Sequence, residues 1–188
     1  MHRYVLPLAF VLVSGCGYNT IQRYDEQVNG AKNQIEVQLQ RRADLIPNLV
    51  STVKGYAQQE LEVFTQVAQA RAGVLGAVQK GDAREMADAN EQLTGALGRL
   101  MVVVEAYPQL KSDQNFLRLQ DELTGTENRI AVARTDYNNA VQTYNTYIRT
   151  LPQSLTAKVT GARAREYFEV TSPGSRTAPT VDFSKPKQ

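Results

Sequence analysis

The sequence predicts an all-α protein: an up-and-down antiparallel four-helix bundle of long helices, with a short C-terminal helical patch and an extended tail. Three observations carry that prediction. Apolar residues recur at alternating steps of three and four, one stretch repeats them at every seventh residue without a break, and the period-two alternation of strands is missing. At 188 residues, 42% of them hydrophobic and 21% charged, the chain suits one globular domain with a real core.

The first stripe comprises Ile21, Tyr24, Val28, Ala31, Ile35 and Leu39. Arg41 and Arg42 close it, since positive charge suits a helix C-terminus, and Asp44 is a cap for a new helix whose first turn tolerates Pro47. A turn around residues 42–46 is expected, although a kinked continuous helix fits the same residues almost as well. The second stripe runs through Ile46, Leu49, Val50, Val53, Ala57, Phe64, Val67, Leu75 and Val78 to Gly81. Asp82 with Glu85 resembles a capping box for a third helix, whose face is Met86, Leu93, Leu97, Leu100 and Val104, stopped by Pro108. In the fourth helix Phe116, Leu123, Ile130, Tyr137, Tyr144 and Leu151 keep a seven-residue spacing, which asks for coiled-coil-like packing; Pro152 ends it. Leu155, Val159, Tyr167 and Phe168 form a weaker helical patch, and from Thr171 the composition turns to that of an extended or disordered tail.

The inventory of chemistry is short. His2 is the only histidine and Cys16 the only cysteine, which excludes His-assisted nucleophilic catalysis and His or Cys metal sites once a leader is removed. There is no D-x-D-x-D-G run for a carboxylate site. The expectation is therefore no enzyme, no metal, no cofactor and no small-molecule substrate. The 21 basic residues are interspersed with 19 acidic ones, without a basic stripe or aromatic platforms, so no nucleic-acid partner is expected.

The N-terminus reads MHRYVLPLAFVLVSGC: Arg3 as a positive n-region, an apolar run over residues 4–13, then small residues before Cys16. The apolar run spans roughly 15 Å as a helix, about half of a ~30 Å bilayer core, which favours a signal peptide over a permanent span. Val13, Ser14 and Gly15 before Cys16 resemble a lipobox, so Cys16 is expected to carry diacylglycerol and a further acyl chain such as palmitate. A free thiol beside an ordinary signal is the alternative, but a leftover thiol is a liability in an oxidising compartment. The expected division is 1–15 signal peptide, 16–170 lipid-anchored bundle and 171–188 tail. Gly17 is not the aspartate of inner-membrane retention, so in a cell with two membranes the periplasmic face of the outer one is favoured.

RRADLIPNLVSTVKGYAQQE at residues 41–60 resembles the LemA family signature. The resemblance continues through residues 105–145, TLPQSLTAKV, the YFE beginning at Tyr167, and APTVDF. It implies a long antiparallel helical bundle on the outer side of a bacterial membrane, in a family whose biochemical role is largely undefined. Many relatives resemble proteins held by an uncleaved transmembrane helix, and many carry histidine where this chain has Gln59; both departures point to a lipid anchor and away from metal. Arg41, Arg42, Asp44 and Asn48 read either as a binding surface or as capping and dipole partners. Glu127 and Arg134, seven apart, read as partners for charges on a neighbouring helix such as Arg71, and Asn138 and Asn145 as a buried polar network.

The function expected from these readings is a membrane-tethered helical-bundle lipoprotein of the cell envelope, acting as a scaffold for an envelope protein partner. The alternative is a membrane-surface protein that lies on lipid and shapes or senses it. With the anchor at Cys16, the turns at 42–47 and 108–113 should meet at the membrane-distal end, bringing Arg41, Arg42, Asp44 and Asn48 beside Tyr107 and Lys111 as an interaction corner. Cys16→Ser is expected to block both lipid modification and leader cleavage. Mass spectrometry of the protein from its native host checks this, and an unmodified mature N-terminus at Cys16 would refute it.

Overall fold

Six helices follow one another among the described residues: α1 (Val5–Lys54), α2 (Leu61–Lys80), α3 (Ala83–Glu105), α4 (Pro108–Lys111), α5 (Gln114–Tyr147) and α6 (Gln153–Thr160). The structure, a computed structural model, describes the backbone of residues 5–170 and the side chains of residues 17–170. The expected tail, the first four residues and the side chain of Cys16 lie outside the described residues. The chain is an all-α helical bundle, and no described residue is in a strand. Among the described residues no helix is long and apolar enough to cross a membrane.

Of the two readings at 42–46, the turn does not form and the continuous helix does. α1 runs on through Pro47 to Lys54, and the chain reverses at residues 55–60 instead. Proline inside a helix removes one N–H, so the carbonyl four residues earlier loses its partner. That carbonyl belongs to Ala43, which is fully buried, and Arg71 on α2 donates its Nε to it at 2.8 Å. The neighbouring helix thus repairs the gap that Pro47 opens. The residues expected to form one second helix are shared accordingly: Ile46, Leu49 and Val53 are buried on α1, Phe64 and Val67 on α2.

α2 and α3 form a hairpin. Gly81 ends α2 in the left-handed region at φ +67°, a conformation that side chains resist, and Asp82 caps α3 by accepting from the N–H groups of Arg84 (2.9 Å) and Glu85 (2.8 Å). The Glu85 carboxylate turns to Lys80 at 2.7 Å, so it does not complete a capping box. Lys32 of α1 donates to the Gly81 carbonyl at 3.2 Å, which sets the hairpin's lower end at that level of α1. Above it α1, α2, α3 and α5 enclose a core that includes Leu39, Ile46, Leu49, Met86, Leu93, Leu100 and Phe116.

α5 packs along α1 over its length. Its seven-residue series is buried from Phe116 through Leu123, Ile130, Tyr137 and Tyr144, as the spacing predicts, but not at Leu151, which is 77% exposed. The cause is the end of α5 at Tyr147, before Pro152. Below the hairpin, α1 and α5 are covered by α6 and by a strap without regular structure, residues 162–170. Tyr167 and Phe168, expected on a helix, belong to this strap, where Phe168 is 3% exposed.

Arg71→Met is expected to lower the unfolding free energy by about 1–3 kcal/mol, the cost of stranding a buried carbonyl. In a Pro47→Ala background the same substitution should cost far less, because residue 47 regains an N–H for Ala43. Urea unfolding of the four proteins checks this, and equal losses in both backgrounds would show that the arginine does not serve the carbonyl.

Candidate functional site

The residues singled out in the sequence separate into four places. Arg42 leaves the surface altogether. It is 4% exposed, on the inner side of α1, where Nη1 donates to Asn90 Oδ1 at 2.5 Å and Nη2 to Thr94 Oγ1 at 3.1 Å, both on α3. Glu127 of α5 approaches Nη1 at 2.5 Å without hydrogen-bond geometry, and so acts as a counter-charge. Burial pushes the guanidinium below its ordinary pKa, while Glu127 and Glu91 hold it up. One side chain therefore bonds α3 and α5 to α1 at mid-height. The partner expected for Glu127 was Arg71; Arg42 takes that place because Arg71 is spent on the Ala43 carbonyl.

Arg41, Asp44 and Asn48 are exposed, and steps of three and four put them on one stripe of α1. Asp44 accepts from Gln40 at 3.0 Å, and the Asn48 carbonyl accepts from Thr52 at 2.9 Å. Towards the N-terminus the stripe continues through Val37 and Gln34 into an open groove of about 780 Å³ between α1 and α5. Gly30, Ala31, Gln34 and Gln38 line one wall, and Asn128, Arg129, Val132, Ala133 and Asp136 the other. A buried Gln38 Oε1 has no hydrogen-bond partner among the described residues.

The distal end is built from other residues. Tyr56, in the reversal after α1, donates its hydroxyl to Asp113 Oδ2 at 3.0 Å, and Asp113 Oδ1 caps α5 by accepting from the Phe116 N–H at 2.9 Å. The cap and the phenol hold the Asp113 carboxyl below its ordinary value, and the carboxylate in turn raises the Tyr56 phenol. Lys111 pairs with Glu105, and Tyr107 is half-buried at the start of α4. The expected corner joining Arg41, Arg42, Asp44 and Asn48 to Tyr107 and Lys111 does not form as drawn. The reversal at 55–60, not 42–47, stands at that end, and Arg42 lies about 18 Å below it along α1.

Near the lower end, Asn138 and Asn145 clamp the strap. Each side chain bonds a strap residue in both senses: Asn145 with the Arg165 N–H and carbonyl, both at 2.8 Å, and Asn138 with the Phe168 N–H at 2.9 Å and carbonyl at 3.4 Å. Seven helical residues rise about 10.5 Å and three extended residues span about 10 Å, so the two asparagines meet two strap residues in register. Tyr137 adds a bond to the Glu166 carbonyl at 2.8 Å, and Arg165 grips Asp25 of α1 at 2.8–2.9 Å. The seven-residue spacing signalled the asparagine pair; nothing periodic signalled the strap. Among the described residues no group of three or more His, Cys, Asp or Glu side chains is placed to hold a metal ion.

The model of the LemA family matches residues 31–183, most of the chain. The chain belongs to the LemA family. That span takes in Arg42, Glu127, both clamp asparagines and the strap. This LemA protein is 30% identical over 185 residues to magnetosome protein MamQ 2 of Paramagnetospirillum magneticum, covering 86% of the chain and 68% of the relative. MamQ of Magnetospirillum gryphiswaldense matches at 30% over 184 residues with the same coverage. Protein LemA of Metamycoplasma hominis is 23% identical over 157 residues, 80% of this chain and 71% of its own.

If Arg42 ties the helices together, its partners should couple to it energetically. Asn90→Ala and Glu127→Ala are each expected to cost about 1–3 kcal/mol in the parent and much less beside Arg42→Met. A double-mutant cycle by chemical unfolding measures this, and additive losses would mean that the guanidinium is not held by these groups.

Proposed function

We propose that this LemA protein is a scaffold of the bacterial envelope: exported, tethered through lipid on Cys16, and carrying a protein partner on the outer face of α1 and α5. In a cell with two membranes it works on the periplasmic face of the outer one. The observation that carries the reading is the division of labour among its polar side chains. Arg42, Arg71, Asn138 and Asn145 are consumed in holding the bundle, whereas Arg41, Asp44 and Asn48 face solvent on the stripe that leads into the α1–α5 groove. A groove walled by Gln34, Gln38 and Asn128 with Val132 beside them offers amide hydrogen bonds and apolar contact, the means of recognising a protein segment. The name of the MamQ relatives, magnetosome proteins, supports a part in a cellular assembly over a part in metabolism.

A photo-reactive amino acid at Gln34 or Arg41 is expected to give a discrete protein adduct in intact envelopes, while the same group at Gln92, exposed on α3, gives none. Replacing residues 1–16 with a leader that is cleaved without lipid modification should release the protein from the membrane and abolish the adduct. Adducts of equal yield from all three positions, or an adduct that survives release, would contradict the proposal.

A further inference from the structure

The two most exposed large apolar side chains among the described residues, Val159 and Leu151, lie within nine residues of chain, with exposed Leu155 between them. Leu155 and Val159, 53% and 88% exposed, lie four apart on one face of α6, and Leu151, 77% exposed, stands in the turn just before it, so the three make an apolar ridge at this end. Most other large exposed apolar residues, such as Val37, Val102 and Val132, stand apart, which is ordinary for a surface. The opposite side of α6 is packed: Ala157 is buried, and a Cβ on Gly17 of α1 would lie 3.5 Å from Thr156 Oγ1. The ridge is therefore a fixed feature of the bundle, beside the residue that follows Cys16 in the chain.

Along this stretch of chain the charge has one sign. Between Asp136 and Glu166 the sequence holds no acidic residue, but it holds Arg149, Lys158, Arg163 and Arg165. Arg165 is committed to Asp25, whereas Arg149, Lys158 and Arg163 have no ion-pair partner among the described residues. Tyr18, 45% exposed on α1, adds an aromatic ring of the kind that settles at a lipid headgroup. An apolar ridge flanked by unpaired cations is the pattern of a helix lying in a membrane interface, with its apolar side chains among the acyl chains and its cations on anionic headgroups.

We infer that α6 is a foot that rests in an anionic bilayer surface, with Leu151, Leu155 and Val159 inserted and Arg149, Lys158 and Arg163 on the headgroups. The inference rests on the proposed membrane tether and adds a second contact, one that fixes how the bundle leans. A single lipid attachment leaves the bundle free to swivel; a foot on a different helix removes that freedom and turns the α1–α5 groove in one direction relative to the membrane.

The chain contains no tryptophan, so one introduced residue reports alone. Full-length protein carrying Val159→Trp, Leu155→Trp or Val102→Trp is reconstituted into vesicles of phosphatidylcholine with phosphatidylglycerol, and into phosphatidylcholine alone. The tryptophan at 159 or 155 should emit further to the blue on the anionic vesicles and be quenched several-fold more by brominated acyl chains than the one at 102. Lys158→Glu with Arg163→Glu should remove most of that difference. Protein that floats with vesicles while the tryptophans at 159 and 155 stay open to aqueous acrylamide overturns the foot and leaves the tether standing. Protein that does not float overturns both. A blue shift seen only in native envelopes, and not on vesicles, assigns the ridge to a protein partner and overturns the foot.

Discussion

The bundle depends on a hydrogen bond that α1 cannot make for itself. Pro47 has no N–H to give the Ala43 carbonyl, and that carbonyl is sealed in the core, where an unpaired acceptor is costly. Arg71 supplies the missing donor from α2. With it, α1 remains a helix from one end of the molecule to the other; without it, the sequence around Pro47 has every local reason to turn. The same bond fixes α2 against α1, so the repair of one helix also sets the position of its neighbour.

An unbroken α1 decides the rest. From Gly17 to Lys54 it rises about 56 Å, and the α2–α3 hairpin, of 20 and 23 residues, reaches down only to Lys32. Two helices alone would leave the lower core half-open. α6 and the strap close it, the strap held by asparagine side chains that treat it as they would an adjoining strand. The upper half is thus bound together by the Arg42 guanidinium among Asn90, Thr94 and Glu127, and the lower half by amide pairs on α5. The outer face of α1 and α5 is left open along both halves, and the proposed scaffold and foot use what these two devices leave exposed.

Much of this was legible in the sequence, where the cause is local. The seven-residue series of α5, the Asp82 cap, the glycine stop at 81 and the core face of α3 follow from spacing and short-range hydrogen bonding. At 42–46 Arg41, Arg42, Asp44 and Pro47 spell a helix end followed by a helix start almost as well as a continuous helix, and the group that decides for the continuous helix is 28 residues away in the chain. Arg42 was placed at a surface corner for the same reason. Asn138 and Asn145 announced a buried pair through their spacing, but their partner is a strap with no period of its own.

The central claim is that α1 is one continuous rod through Pro47, and a distance measures it. Spin labels carried by non-canonical amino acids at Gln22 and Ser51, both exposed, leave Cys16 untouched. Twenty-nine residues of unbroken helix separate them by about 44 Å, so pulsed electron-spin measurements should give a narrow distribution near that value. A chain that reversed at 42–46 would bring the labels to about 25 Å, and a distribution centred there would contradict the account.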